Sequence, residues 1–81
     1  MQIKNNIAIS ENGFMFDPNT GESYSLNPVG TEILNLLKEK KSDKEIIDFL
    51  ADKYDADKLS IEKSLNEFYS FLQSYKLIEN D

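Results

Sequence analysis

Apolar and polar positions alternate over the first third of the chain, and beyond it apolar residues recur every three or four positions. The first pattern predicts strands and the second predicts helices. Ile7-Ala8-Ile9-Ser10 and Phe14-Met15-Phe16-Asp17 flank Asn12-Gly13, a pair that tolerates positive φ and favours a two-residue hairpin turn. That turn sets Ile9 opposite Phe16. A second turn, Asp17-Pro18-Asn19-Thr20-Gly21, leads into Ser23-Tyr24-Ser25-Leu26. A three-residue loop with Gly21 left-handed places Phe16 opposite Tyr24 and Phe14 opposite Leu26. A four-residue loop would instead place Tyr24 opposite Met15. A slip of one residue turns every side chain over, so the apolar alternation favours the shorter loop. The expected meander has order 1-2-3, with Ile7, Ile9, Phe14, Phe16, Tyr24 and Leu26 on one face.

Asn27-Pro28 opens the first predicted helix, with Asn27 as N-cap and proline at the first helical position. Its expected buried stripe is Val29, Ile33, Leu36 and Leu37. Ser42-Asp43-Lys44-Glu45 is a capping box for the second helix, which should bury Ile46, Ile47, Leu50 and Tyr54. The third helix starts between Asp57 and Ser60 and runs to about Tyr75, with core positions Ile61, Leu65, Phe68 and Leu72. At about 100° per residue, Phe71 and Tyr75 fall on one flank of that core line and Tyr69 on the other. The apolar arc spans about 160°, wider than the roughly 100° that packing one side requires. Either the helix wraps a sheet and two helices, or one flank lines a groove beside the sheet.

These elements describe one α+β domain, a three-stranded antiparallel meander followed by three helices, within a chain of 81 residues. No apolar run is long enough for a signal peptide or a membrane span. The chain has no cysteine and no histidine, which removes disulfides, thiolate sites, the commonest general base and the commonest metal ligand. A cysteine-free chain fits a reducing cytoplasm. All nine basic residues are lysine, and fifteen carboxylates leave a net charge of −6. Arginine, the commonest specific reader of guanine, is absent, so a basic nucleic-acid footprint is not expected.

The remaining chemistry is sparse. Counting from Asp55, a calcium loop would need glycine at Ser60 and a glutamate at Asn66; counting from Asp17, it would need glycine at Glu22. Gly13, Gly21 and Gly30 are isolated and form no phosphate loop. No serine or lysine sits in a nucleophile–base motif. The expectation is a protein without catalytic residues, cofactor or metal.

The stretch from Phe16 to Leu34 resembles the PqqD-like family: an apolar strand, a Thr20-Gly21 turn, Tyr24-Ser25-Leu26-Asn27 at a strand end, then Gly30 and Ile33 entering a helix. The likeness continues through Glu45-Ile46-Ile47, Asp48-Phe49-Leu50, Tyr54-Asp55 and Phe68-Tyr69-Ser70-Phe71-Leu72 to Leu77-Ile78. It covers roughly residues 7–78. Family members often carry glycine after the first helix and before the final Leu-hydrophobic pair; here those places fall near Lys40 and at Lys76.

The resemblance implies a winged-helix-like domain, a RiPP recognition element. Such domains bind the leader segment of a ribosomally made precursor peptide and present it to a modifying enzyme, often a radical SAM protein. Carried over by position, the peptide would lie along Ser23, Tyr24, Ser25 and Leu26, against Leu65, Phe68, Tyr69 and Leu72 of the third helix. Tyr69, off the core line, is the expected groove residue, whereas Leu65 and Phe68 also suit the core. The third strand is an edge with no proline or lysine to protect it, and edge strands capture peptides by strand addition. Two other readings use the same elements. One is a generic adaptor or dimerisation domain that uses this edge; the peptide-binding protein itself is expected to be a monomer or weak dimer. The other is a DNA-binding winged helix, whose outward residues Lys58, Glu62, Lys63 and Glu67 cancel in charge.

Overall fold

Two turns decide the sheet, and each is one residue longer than the alternation suggested. In the computed structural model, which describes residues 2–79, the chain runs β1 (Gln2–Ile3), β2 (Ala8–Ile9), β3 (Phe14–Asp17), β4 (Glu22–Ser25), α1 (Pro28–Lys38), α2 (Asp43–Tyr54), α3 (Lys58–Ser74) and β5 (Ile78–Glu79). Strands β2, β3 and β4 form the expected meander in that order.

At the first turn, Ser10 N–H donates to the Phe14 carbonyl at 2.8 Å and Gly13 N–H donates to the Ser10 carbonyl at 3.2 Å. Glu11-Asn12-Gly13 is therefore a three-residue loop, with Gly13 at φ +89°. At the second, the Asp17 carbonyl accepts from Thr20 and Gly21 N–H. The Asp17 carboxylate accepts from Asn19 N–H at 2.9 Å, the aspartate turn bond that favours this residue in loops. Pro18 to Gly21 is thus a four-residue loop. Met15, not Phe16, lies opposite both Ile9 and Tyr24.

The two slips compensate on the outer strands and invert only β3. Ile7, Ile9, Tyr24 and Leu26 keep the core face, as expected. Met15 replaces the two phenylalanines there: it is 0% exposed, whereas Phe14 is 55% and Phe16 42% exposed.

The helices begin as their caps dictate. Asn27 Oδ1 accepts from Gly30 N–H at 2.7 Å, Ser42 and Glu45 close the reciprocal capping box, and Asp57 receives Leu59 and Ser60 N–H. In α1 the buried residues are Gly30, Ile33, Leu34 and Leu37, while Val29 and Leu36 are only half-buried. In α2, Ile46, Leu50 and Ala51 are buried; Ile47 is half-buried and Tyr54 is exposed rather than in the core.

Helices α1 and α3 close in the manner of glycine-ended helices, although lysine occupies the position. Lys40 and Lys76 have φ +62° and +56°. The next residues, Lys41 and Leu77, donate back to Leu36 and Leu72, the bond that seals the last turn. Finally, β1 and β5 pair as a two-stranded ribbon with Ile3 opposite Ile78. Ile3 and Ile78 of the ribbon are buried, as is the adjacent Leu77.

Candidate functional site: an open strand edge facing an aromatic groove

Strand β4 is the edge of its sheet. Leu26 N–H donates to the Gly13 carbonyl at 2.8 Å, so Leu26, Tyr24 and Glu22 occupy the hydrogen-bonded positions opposite Gly13, Met15 and Asp17. In an antiparallel ladder the intervening residues turn their N–H and C=O outward. Those residues are Ser23 and Ser25, and their backbone groups face an open groove of about 460 Å³.

One wall of the groove is β4 from Ser23 to Leu26; the other is Phe68 and Phe71 of α3, with Asn27 and Gly30 at one end. A second hollow of about 340 Å³ continues between α1 and α3, past Val29, Ile33, Ser64 and Glu67.

The groove is lined by a connected set of rings. Tyr24 and Phe71 meet edge to face with centroids 5.7 Å apart, and Tyr24 lies 5.1 Å from Tyr75. Phe71 in turn lies 5.8 Å from Phe68 and 5.3 Å from Tyr75. Such contacts fix ring orientation and contribute about 0.5–1.5 kcal/mol each beyond burial. The Tyr24 hydroxyl donates to Glu22 Oε2 at 3.0 Å. Desolvation first, and Glu22 second, raise its pKa, so the ring remains a neutral phenol at physiological pH.

Gly30 lets the two walls meet. A Cβ there would come within 3.2 Å of Asn27 Oδ1 and 3.3 Å of Phe68 Cε1, pressing on the cap of α1 and on a groove ring together.

Of the residues expected at the site, Ser23, Tyr24, Ser25, Leu26 and Phe68 come together around this groove. Leu65 and Leu72 do not line it: they are 1% and 0% exposed, sealed beneath α3 in the core. Tyr69 does not line it either. Its side chain turns to the opposite flank, where the hydroxyl donates to Asp43 Oδ1 of α2. Burial first, and Asp43 second, push its pKa well above the ordinary tyrosine value.

Phe71, which was not among the residues expected at the groove, lines it, and Tyr75 packs on the Tyr24 and Phe71 rings. Both lie on the second apolar flank of α3, and the presence of two aromatics there was the available signal. Among the described residues, no group of three or more carboxylate side chains gathers as a metal site, and no helix is long and apolar enough to cross a membrane.

The family model of coenzyme PQQ synthesis protein D (PqqD) matches residues 12–78. The chain belongs to the PqqD family. Two solved structures share the fold of this PqqD-family chain. TbiB1, in complex with the TbiA(beta) leader peptide, is 28% identical with a TM-score of 0.90, over 100% of this chain and 98% of that one. A lasso peptide synthetase B1, complexed with the leader peptide, is 17% identical with a TM-score of 0.88, over 98% of this chain and 96% of that one. The second likeness is one of fold alone. No curated protein sequence matches the chain significantly.

Proposed function

We propose that this PqqD-family protein is a RiPP recognition element: it captures the leader segment of a precursor peptide as a strand added beside β4 and presents it to a modifying enzyme. The observation that carries this reading is the pairing of an open strand edge, at Ser23 and Ser25, with the aromatic wall of α3 across one groove. The edge offers backbone hydrogen bonds for affinity, while pockets for alternate side chains supply selectivity. TbiB1, similar over its whole length, is bound to a leader peptide.

On this reading the protein performs no chemistry of its own. The enzyme it serves is of the radical SAM class by family resemblance, and the setting is the cytoplasm. Ser23, Tyr24, Ser25 and Leu26 form the strand side of the site. Phe68 and Phe71, extended by Tyr75, replace the set Leu65, Phe68, Tyr69 and Leu72 on the helix side.

The test is a titration of ¹⁵N-labelled protein with synthetic leader segments of ribosomally made precursor peptides. Shifts should concentrate on β4 and on the Phe68–Tyr75 flank of α3. Self-association without peptide binding would favour the adaptor reading. Salt-sensitive binding of duplex DNA would favour the winged-helix reading.

A further inference from the structure

The groove carries an ionised side chain at one place. In its two connected hollows, the lining residues include one ionised side chain, Glu67 of α3, and no lysine. Glu67 is exposed, one helical turn before Phe71 and beside Phe68. At the other end of the aromatic row, Glu22 holds the Tyr24 hydroxyl.

Lys63, one turn before Glu67 on α3, is the nearest cation along the chain; it lines neither hollow, and no ion pair joins it to Glu67 among the described residues. Other lysines are engaged elsewhere. Lys53 pairs with Glu32, and Lys44 and Lys58 both pair with Asp48 at 3.0 Å. The chain as a whole carries a net charge of −6.

We propose that Glu67 selects the captured peptide by charge: the peptide carries an apolar side chain that seats on Tyr24, Phe68 and Phe71, and a lysine or arginine at a fixed distance from it that meets Glu67. This rests on the peptide-binding reading above and names the chemistry of its ligand. A peptide with a carboxylate at that position meets like charge there instead. The attractive contact itself is exposed and therefore modest. Its larger effects are on orientation along β4 and on rejection of acidic segments.

The test uses a random-peptide display library selected in parallel on the wild-type protein, Glu67→Gln and Glu67→Lys. Because Glu67 is exposed, all three proteins should fold alike, which their melting curves check. Wild type should enrich peptides with lysine or arginine at one recurrent distance from an apolar residue. Glu67→Gln should lose the charge bias but keep the apolar one, and Glu67→Lys should enrich aspartate or glutamate instead.

In a selected peptide, changing the basic residue to glutamine should weaken wild-type binding about threefold to fivefold, the scale of an exposed ion pair. It should leave Glu67→Gln unaffected. Enrichment of apolar peptides with no charge bias, or with the same bias in all three proteins, overturns the role of Glu67 and leaves peptide capture standing. Enrichment of no peptide by any of the three overturns both.

Discussion

Tyr24 on β4 and Phe71 on α3 meet edge to face, 5.7 Å between centroids and 86° between planes, and this contact joins the open strand edge to the helix across the groove. Phe71→Ala should remove one wall of the groove and weaken leader-peptide binding by roughly 1–2 kcal/mol, the loss typical of an interface aromatic. Tyr69→Ala should leave affinity unchanged, because that ring faces α2 and its hydroxyl is held by Asp43. Calorimetry on both variants separates the flanks: a loss confined to Tyr69→Ala would place the peptide on the other side of α3.

The ladder along β4 makes a position-by-position forecast. Tyr24 and Leu26 amides point into the sheet and should exchange slowly; Ser23 and Ser25 amides point into the groove and should exchange fast. On peptide binding the two serine amides should gain protection while the other two change little. Hydrogen exchange followed by NMR reads this directly. Serine amides that stay fast in the saturated complex would rule out strand addition at β4.

The inverted central strand is testable by stability alone. Met15→Ala empties a fully buried position and should cost roughly 2–5 kcal/mol. Phe14→Ala, on the exposed outer face, should change stability by about 0.5 kcal/mol or less. Urea melts of the two variants decide between the observed register and its one-residue neighbour, in which the order of the two effects would be reversed.

Tyr69 also predicts an alkaline weakness. Its folded-state pKa is raised, mainly by burial and then by Asp43, so the unfolded chain ionises first. The stability this contributes is fully present below the ordinary tyrosine value of about 10 and declines as pH rises above it toward the folded-state value. Urea midpoints measured from about pH 8 to about pH 11 should fall more steeply in wild type than in Tyr69→Phe, which has no phenol at this position. Parallel curves would mean the hydroxyl is not held as the structure places it.

Lys40 and Lys76 sit in left-handed backbone that glycine adopts without strain. Lys40→Gly and Lys76→Gly should each stabilise the fold by about 0.5–1 kcal/mol, the left-handed strain removed less the greater freedom of glycine when unfolded. Thermal melts at fixed ionic strength would check this, and a loss at either position would show that the lysine side chain contributes contacts that outweigh its backbone strain.

What could be read from the sequence was whatever neighbours along the chain decide between themselves. Asn27 and Ser42 start helices because side-chain oxygens reach amides two or three residues away, and Asp57 does so within the predicted range. The spacing of Ile61, Leu65 and Leu72 places three buried residues on one line of α3. The strand order and the edge position of β4 followed from two turns and the lack of any later strand pattern beside it.

Register did not follow, because it depends on loop hydrogen bonds rather than on apolar alternation. The Asp17 carboxylate and carbonyl organise a four-residue turn, and Phe14-Met15-Phe16 offers apolar side chains to either face. The ribbon of Ile3 with Ile78 was likewise hidden, since two-residue strands carry no periodicity and pair across nearly the whole chain. The choice between the flanks of α3 belongs to the tertiary structure too. Tyr69 and Phe71 are equally good aromatics on a helix taken alone, and only the packing of α2 on one side and β4 on the other makes one a tether and the other a groove wall.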